Sequence, residues 1–206
     1  MYSPKYFQEA SIDVLHGLIH KYPFATVVAH TANGFVANHL PFELVDGVLH
    51  GHVARGNELA GMDGVQVLLV FRGPDGYISP NWYPTQHETG REVPTWNYAV
   101  LHVHGRLRVI DDAAWLRGLL QRLTDHHEAD QPLPWKMSDA PEDHIDTSLR
   151  AIVGLEVTID RLEGKFKLSQ NHPARNRAGV IAGLHQRDGD GDVELAALMA
   201  AQEPGS

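Results

Sequence analysis

The sequence predicts a mainly β fold of the α+β class, in which an antiparallel barrel is flanked by helices. Six or seven segments are rich in β-forming residues, and most of them are joined by hairpin signals. Apolar residues at helical spacing occur only at the start, in the middle and at the end of the chain. A length of 206 residues is sufficient to bury most of its apolar surface. We therefore expect a single domain over residues 1–206, with a helical tail from about residue 185.

The first half of the chain is predicted to contain one helix followed by strands. Apolar side chains at helical spacing define the helix, and a proline ends it. Asn-Gly and Asp-Gly pairs mark hairpin turns between the strands. In order, these elements are a helix over 7–22, extended segments over 24–30, 35–45 and 48–54, a short helix over 57–62, a strand over 65–72, a turn over 73–76 and an extended segment over 77–80.

The second half is predicted to alternate longer strands with helices. Period-two alternation indicates a strand, and Asp111 or Asp112 can cap the helix that follows it. Prolines make 129–141 a loop, and the sequence RDGDGD is typical of a flexible linker. The remaining elements are a strand over 95–110, a helix that carries the apolar residues between 115 and 123, a helix over 142–150, a strand over 151–162, and helices over 173–184 and 193–202.

Composition excludes several classes of function. The chain has no cysteine, so disulfides, thiolate zinc sites and cysteine nucleophiles are absent. Its 17 Lys and Arg against 26 Asp and Glu give a net charge of −9, which opposes a phosphate backbone and makes direct DNA binding doubtful. No apolar run approaches the ~18 residues of a membrane span. We expect a cytoplasmic protein without a membrane segment.

Two aromatic segments are the strongest candidates for a binding site. SPNWY (79–83) and VPTWNY (93–98) combine flat rings with hydroxyl and amide groups. Such a mixture suits a planar heteroaromatic ligand that also needs hydrogen bonds at its edge. The same residues would also serve as an aromatic core cluster with Asn and Thr at strand ends. Composition alone favours this second interpretation.

The segment GKFKLSQN (164–171) is a candidate for binding a phosphate. Two lysines two residues apart are followed by Ser, Gln and Asn, which supply charge and short donors. Neither a GxxxxGK[ST] nor a GxGxxG motif is present. A solvated strand end with a helix cap would explain the same residues equally well.

Two His-x-His pairs complete the set of candidate sites. His50 and His52, and likewise His102 and His104, lie on one face of a strand and could ligate a metal or haem iron. With 14 histidines in the chain, such pairs also arise by chance, so we expect no native metal site. No HExxH motif, serine elbow or paired carboxylate is present, and no catalytic residue is assigned.

Several blocks together resemble one family, the PaiB-type negative transcriptional regulators of the FMN-binding split-barrel superfamily. These blocks are Met1-Tyr2-x-Pro4-x-x-Phe7, His39-Leu40-Pro41-Phe42, Gly51-His52-Val53-Ala54-Arg55-x-Asn57, SPNWY, VPTWNY and KxKLSQN. The resemblance implies a six-stranded split barrel that forms a homodimer, with flavin mononucleotide in clefts where two subunits meet. It also implies a role in repressing genes for protease production and sporulation.

The resemblance assigns the candidate residues to two ends of the flavin. The isoalloxazine side receives Ser79, Asn81, Trp82, Thr95, Trp96 and Asn97. The phosphate side receives Arg55, Lys165, Lys167, Ser169 and Gln170. One position departs from the family pattern, because Asn176 stands before Arg177 where an acidic residue is usual.

Two functions follow from these assignments. The first is a flavin-linked regulator or a small flavin oxidoreductase, in which the cofactor carries the redox chemistry. The alternative is a haem-binding or haem-degrading split-barrel protein, with His52 or His104 as the iron ligand.

Overall fold

The structure, a computed structural model, describes residues 1–202; residues 203–206 of the predicted tail lie outside the described residues. The strands are β1 (Gln8–Glu9), β2 (Phe24–Thr31), β3 (Gly34–Pro41), β4 (Glu43–Val45), β5 (Val48–Ala54), β6 (Gln66–Ile78), β7 (Thr95–Ile110) and β8 (Ile152–Lys167). The α-helices are α1 (Ile12–Lys21), α2 (Pro84–Thr89), α3 (Ala113–Glu128), α4 (Glu142–Arg150), α5 (Ala174–Arg187) and α6 (Asp192–Ala201). Short 3-10 turns occupy Lys5–Phe7, Glu58–Gly61, Pro80–Trp82 and Met137–Asp139.

The strands form one antiparallel sheet in the order β3-β2-β6-β7-β8-β5-β4, and β1 pairs with β8. Val27 of β2 pairs with Asn38 on one side and with Leu69 on the other. The chain divides into two compact units. We call residues 1–18, 72–102 and 163–202 the terminal unit, and residues 19–71 and 103–162 the central unit.

The core of the central unit follows from strand alternation. Alternate residues are buried from Ala25 to Ala29 in β2 and from Val67 to Phe71 in β6, and among them Val27 and Leu69 are fully enclosed. Phe42 and Phe71 meet edge to face with ring centroids 6.4 Å apart. A smaller cluster joins α3 to α4 through four buried side chains: Leu116, Met137, Ile145 and Leu149.

Helices α5 and α6 contribute to the core of the terminal unit. Val180 and Leu184 of α5 and Leu195 and Met199 of α6 are fully buried. Arg177 is also buried, and its Nη2 donates to the carbonyls of Met199 and Gln202, which lie at the end of α6. The predicted tail is therefore part of a packed core. None of the described helices is long and apolar enough to cross a membrane.

Several predicted boundaries are wrong. The predicted turn over 73–76 does not form, because β6 continues through it to Ile78. Neither Gly73 nor Gly76 has a positive φ, and a Cβ on Gly76 would lie 3.0 Å from the Leu195 side chain. These glycines allow neighbouring side chains to pack closely on β6, and they do not form a turn.

Other differences lie at the ends of elements. Helix α1 begins at Ile12 rather than at residue 7, because residues 8–9 pair with β8 as a strand. Strand β8 extends to Lys167 rather than ending at residue 162, and α2 was not predicted. The predicted segment 35–45 is divided into β3 and β4 at Phe42, directly after Pro41.

Candidate functional site

An exposed aromatic pair lies where β6 ends and β7 begins. Tyr77 is 40% exposed and Trp96 is 55% exposed, with ring centroids 6.3 Å apart and ring planes at 75°. Alternation along each strand produces this exposure, since the next residues, Ile78 and Asn97, are buried. The terminal unit therefore presents two flat rings to solvent.

Of the two lysines at the end of β8, Lys167 contacts Trp96, and Lys165 is close enough to Lys167 for their charges to interact. Lys167 Nζ donates to Thr95 Oγ1 at 2.6 Å and to the Trp96 carbonyl at 2.6 Å. Lys165 Nζ donates to the Tyr2 carbonyl at 3.1 Å. An ammonium has three donors, so both lysines retain at least one. Within residues 1–202, neither lysine forms an ion pair with a carboxylate.

The ammonium group of Lys167 is affected by its surroundings. Burial lowers the pKa of Lys167, and the nearby charge of Lys165 lowers it further. Aromatic rings partly compensate, because Lys165 Nζ lies 5.3 Å from the Tyr98 ring centroid and Lys167 Nζ lies 5.8 Å from that of Phe7. An anion at this position would relieve the repulsion. We call Tyr77, Thr95, Trp96, Lys165 and Lys167 the aromatic–cationic surface.

Asn97 and Ser169 lie together in the interior of the terminal unit. Asn97 is fully buried and donates through Nδ2 to Ser169 Oγ at 3.0 Å. Ser169 is 2% exposed and adopts a φ of 61°, and its Oγ lies 3.5 Å from the Tyr83 hydroxyl oxygen. These two candidates support the strand ends rather than line an open surface.

Trp82 packs on helix α5. A Cβ on Gly183 would lie 2.3 Å from Trp82 Cδ2, so the helix presents bare backbone to the indole. The guanidinium of Arg187 lies 5.0 Å from the Trp82 ring centroid. Sequence patterning could not distinguish this packed tryptophan from Trp96, because the contact joins residues about a hundred positions apart.

The remaining candidates of the terminal unit make local contacts. Ser79 Oγ accepts from the Asn81 amide at 3.3 Å and caps a 3-10 turn. The exposed Asn81 accepts through its carbonyl from His87 Nε2 at 3.1 Å, with the ring nitrogen taken as donor. Gln170 stabilises the turn after β8, since its amide donates to the Phe166 carbonyl at 2.6 Å.

Arg55 belongs to the central unit. Its Nη1 and Nη2 each donate to Asp111 at 2.7 Å, and its Nε donates to the Arg150 carbonyl at 3.0 Å. This bidentate pair lowers the pKa of Asp111. The guanidinium thus already binds a carboxylate and the carboxyl end of α4.

A buried polar network that sequence reasoning missed surrounds Asn176. Its amide nitrogen donates to Thr85 Oγ1 at 2.7 Å and to Glu92 Oε1 at 3.1 Å. His172 stacks on Tyr83 with ring centroids 4.8 Å apart, and its Nδ1 lies 3.7 Å from Glu92. Here Glu92 supplies the carboxylate, and an uncharged amide at 176 can donate to it. The only signal in the sequence was the departure at this position.

The two His-x-His pairs differ in their surroundings. On β5, the Nδ1 atoms of His50 and His52 are buried and have no partner in the described part of the chain. Burial lowers the pKa of both imidazoles. On β7, His102 has a carboxylate oxygen of Glu163 within 4.8 Å, and His104 lines an open groove of about 470 Å³ in the central unit.

Comparison with known proteins identifies the family. Residues 1–161 match the family described as "Putative FMN-binding domain". The chain belongs to this family. FMN, the cofactor implied by the resemblance, is confirmed by this match, as is the PaiB-type resemblance itself.

Two relatives cover nearly the whole chain. The Protease synthase and sporulation protein PAI 2 of Bacillus subtilis is 30% identical over 209 residues, which cover 97% of this chain and 96% of the relative. An uncharacterized protein of Emericella nidulans is 31% identical over 241 residues, with the same two coverages. The chain is thus similar to these proteins from end to end.

A solved structure confirms the fold. The FAD and haem binding protein of Mycobacterium smegmatis superposes with a TM-score of 0.62 at 20% identity, covering 83% of this chain and 78% of that protein. The likeness confirms an antiparallel split barrel with flanking helices.

Proposed function

We propose that this chain binds FMN on the aromatic–cationic surface and acts as a flavin-linked regulator or a small flavin oxidoreductase. One observation carries the proposal: two neighbouring ammonium groups without a carboxylate partner among the described residues lie beside an exposed aromatic pair. A cation pair of this kind favours an anion, and open rings favour a planar ligand.

The residues present fit the two ends of FMN. Trp96 and Tyr77 offer exposed rings to the isoalloxazine, and because their planes are 75° apart one ring can stack on it while the other meets its edge. The Thr95 hydroxyl, next to Trp96 in the chain, accepts from Lys167. Lys165 and Lys167 retain donors for the phosphate. When bound, FMN supplies the redox chemistry, and the protein binds and orients it. In this proposal Asn97, Ser169, Gln170 and Trp82 support the surface from within the terminal unit, and Arg55 has no direct role.

The charge of the chain bears on how a regulatory role would operate. A net charge of −9 opposes contact with DNA phosphates. The name of the Bacillus subtilis relative refers to protease synthesis and sporulation. We therefore infer that a regulatory role would operate through a protein partner or a metabolite rather than through direct DNA binding. We also infer that the protein is a homodimer.

Haem binding at His104 is the second candidate function. The groove that His104 lines contains Phe35, Leu68 and Gly105, which suit a large apolar macrocycle. The Mycobacterium smegmatis neighbour is described as binding both FAD and haem. His52 is the poorer ligand, because iron-ligating imidazoles normally have their second nitrogen held by a partner, and His52 Nδ1 has none among the described residues.

An absorbance spectrum of the freshly purified protein, followed by titration with FMN and with haem, tests both candidates. We expect the flavin bands to saturate with FMN and haem to bind weakly, with no change in His104→Ala. A sharp Soret band that is lost in His104→Ala, together with absent FMN binding, would establish the haem function and overturn the flavin proposal.

A further inference from the structure

The central unit contains a second, smaller pocket that the flavin proposal does not use. It has a volume of about 150 Å³ and an apolar floor that includes Phe42, Leu44 and Leu123. A cavity of similar volume lined by apolar side chains admits benzene in another protein. The floor therefore suits one small ring.

The pocket is also lined by Arg122, whose two terminal nitrogens are not engaged by Glu43. Arg122 of α3 donates through Nε to Glu43 Oε2 at 2.9 Å and to Oε1 at 3.2 Å. Its Nη1 and Nη2 make no hydrogen bond to any residue in the range 1–202. Glu43 thus holds the Arg122 side chain through Nε and leaves Nη1 and Nη2 available to a ligand. A guanidinium edge of this kind matches a carboxylate in two-point geometry.

Histidines complete the polar side of the pocket. His20 comes from the end of α1, and His126 and His127 come from the last turn of α3. The rings of His126 and His127 meet edge to face with centroids 5.1 Å apart. These imidazoles add hydrogen-bonding groups without a second carboxylate, because Glu43 is the only acidic side chain in the lining.

We propose that this pocket binds a small aromatic monocarboxylate, with its ring on the apolar floor and its carboxylate on the terminal nitrogens of Arg122. A neutral apolar ligand would leave the guanidinium edge without an acceptor. A phosphate would place a doubly charged group against the apolar floor. A cationic ligand would be repelled by Arg122, and the one carboxylate in the lining, Glu43, is already paired with that arginine. The proposal does not depend on the FMN site, which lies among residues of the other unit.

Calorimetric titration of the full-length chain with benzoate tests the proposal. Benzyl alcohol, which has the ring without the charge, and acetate, which has the charge without the ring, serve as comparison ligands. We expect benzoate to bind at least tenfold more tightly than either, because charge-assisted bonds and ring burial each justify about a tenfold factor. The titration is repeated with FMN present, and the benzoate affinity should not change.

Two substitutions on α3 locate the site. Arg122→Gln should weaken benzoate at least tenfold, and Arg122→Lys, which retains the charge but not the fork, should weaken it by a smaller factor. Arg117→Gln is the matched control, since Arg117 lies on the same helix but pairs with Glu142 and Asp146; it should leave the affinity unchanged. Absence of benzoate binding to the wild-type chain at about 10 mM, or equal binding by wild type and Arg122→Gln, would overturn the proposal.

Discussion

His50 and His52 of β5 have partly buried imidazole rings. The His50 ring meets Trp115 with centroids 5.2 Å apart, and its Nε2 lies 3.7 Å from Glu156. Glu156 is shared with Arg108 at 3.5 Å. For His52 burial alone lowers the pKa, whereas for His50 burial is the largest cause and Glu156 opposes it. Both rings are therefore expected to be neutral in the folded protein near pH 7.

This burial makes the stability of the protein depend on pH. Because the folded pKa of His52 lies below its ordinary value of 6.5, the unfolded chain binds the proton first as the pH falls. The free energy of unfolding should therefore decrease below about pH 6.5, by at most about 1.4 kcal/mol per pH unit for each such histidine. His52→Gln should flatten this decrease, as measured by urea unfolding at several pH values.

The comparison at pH 8 provides the control, because both imidazoles are then neutral in either state and any difference reports packing alone. NMR titration of the His52 ring gives the pKa directly. A value at or above 6.5 in the folded protein would contradict this account of the site.

Helix α5 is an element whose glycines serve a specific contact. Besides Gly183 beneath the Trp82 ring, a Cβ on Gly179 would lie 2.2 Å from the Trp82 carbonyl oxygen. Two glycines one turn apart thus create a flat strip on which the segment 79–83 rests. Any larger residue would displace that segment.

Gly183→Ala should lower the free energy of unfolding by about 1–3 kcal/mol, because overpacking forces the indole out of its position. Gly17→Ala is the control: Gly17 is an exposed glycine of α1 with nothing within 4 Å of the added Cβ. It should stabilise the protein by up to ~1 kcal/mol through helix propensity. Thermal or urea unfolding of both variants distinguishes the effects, and equal stabilisation by the two alanines would show that the α5 contact is unimportant.

Elements with a clear period were predictable from the sequence. Alternation identified β7, β-forming residues next to hairpin signals identified β2 and β5, and apolar residues at helical spacing identified α1 and α3. Elements determined by distant partners were not. RDGDGD was interpreted as a flexible linker, yet Arg187 Nε donates to Asp192 Oδ2 at 2.7 Å and Nη1 donates to the Tyr77 carbonyl at 2.8 Å. The Asp192 side chain is 3% exposed, and Arg187 lowers its pKa.

The candidate site was predictable to a similar extent. Composition identified the segments that contain Trp96, Lys165 and Lys167, and in the structure Lys167 contacts Trp96 and lies near Lys165. Composition could not separate exposed residues from buried ones. Asn97 and Trp96, for example, are adjacent in the sequence but point to opposite faces of the strand. Nor could it find the Glu92–Asn176 contact, which joins segments 84 residues apart.

At the scale of the whole molecule, we expect a homodimer. The apolar side chains Leu101, Val103 and Leu107 of β7 do not supply the interface, since they are fully buried within one chain. The edge strand β3 of the central unit does offer apolar surface: Phe35 is 78% exposed there, and Phe24 on the neighbouring β2 is 63% exposed. Stable homodimers commonly bury more than ~2,000 Å², and exposed aromatic side chains are typical anchors of such interfaces.

Light scattering at micromolar concentration should therefore give about twice the chain mass of 22.8 kDa. Phe35→Lys should shift the protein toward the monomer, because it places a charge in the apolar contact. Ala32→Lys, at an exposed position of the neighbouring turn, is the control and should leave the mass unchanged. A wild-type protein that is monomeric at this concentration would contradict the expectation.

Binding of FMN and of riboflavin to the variant Lys165→Ala/Lys167→Ala tests the central claim most directly. Riboflavin lacks the phosphate, so it reports the integrity of the aromatic part of the surface. Lys5→Ala, an exposed lysine of the same unit, is the matched control. The account predicts that the double variant loses at least about tenfold in FMN affinity per lysine while riboflavin affinity changes little, since each charge-assisted bond contributes ~1.5–3 kcal/mol. Equal losses for both ligands, or unchanged FMN affinity, would contradict it.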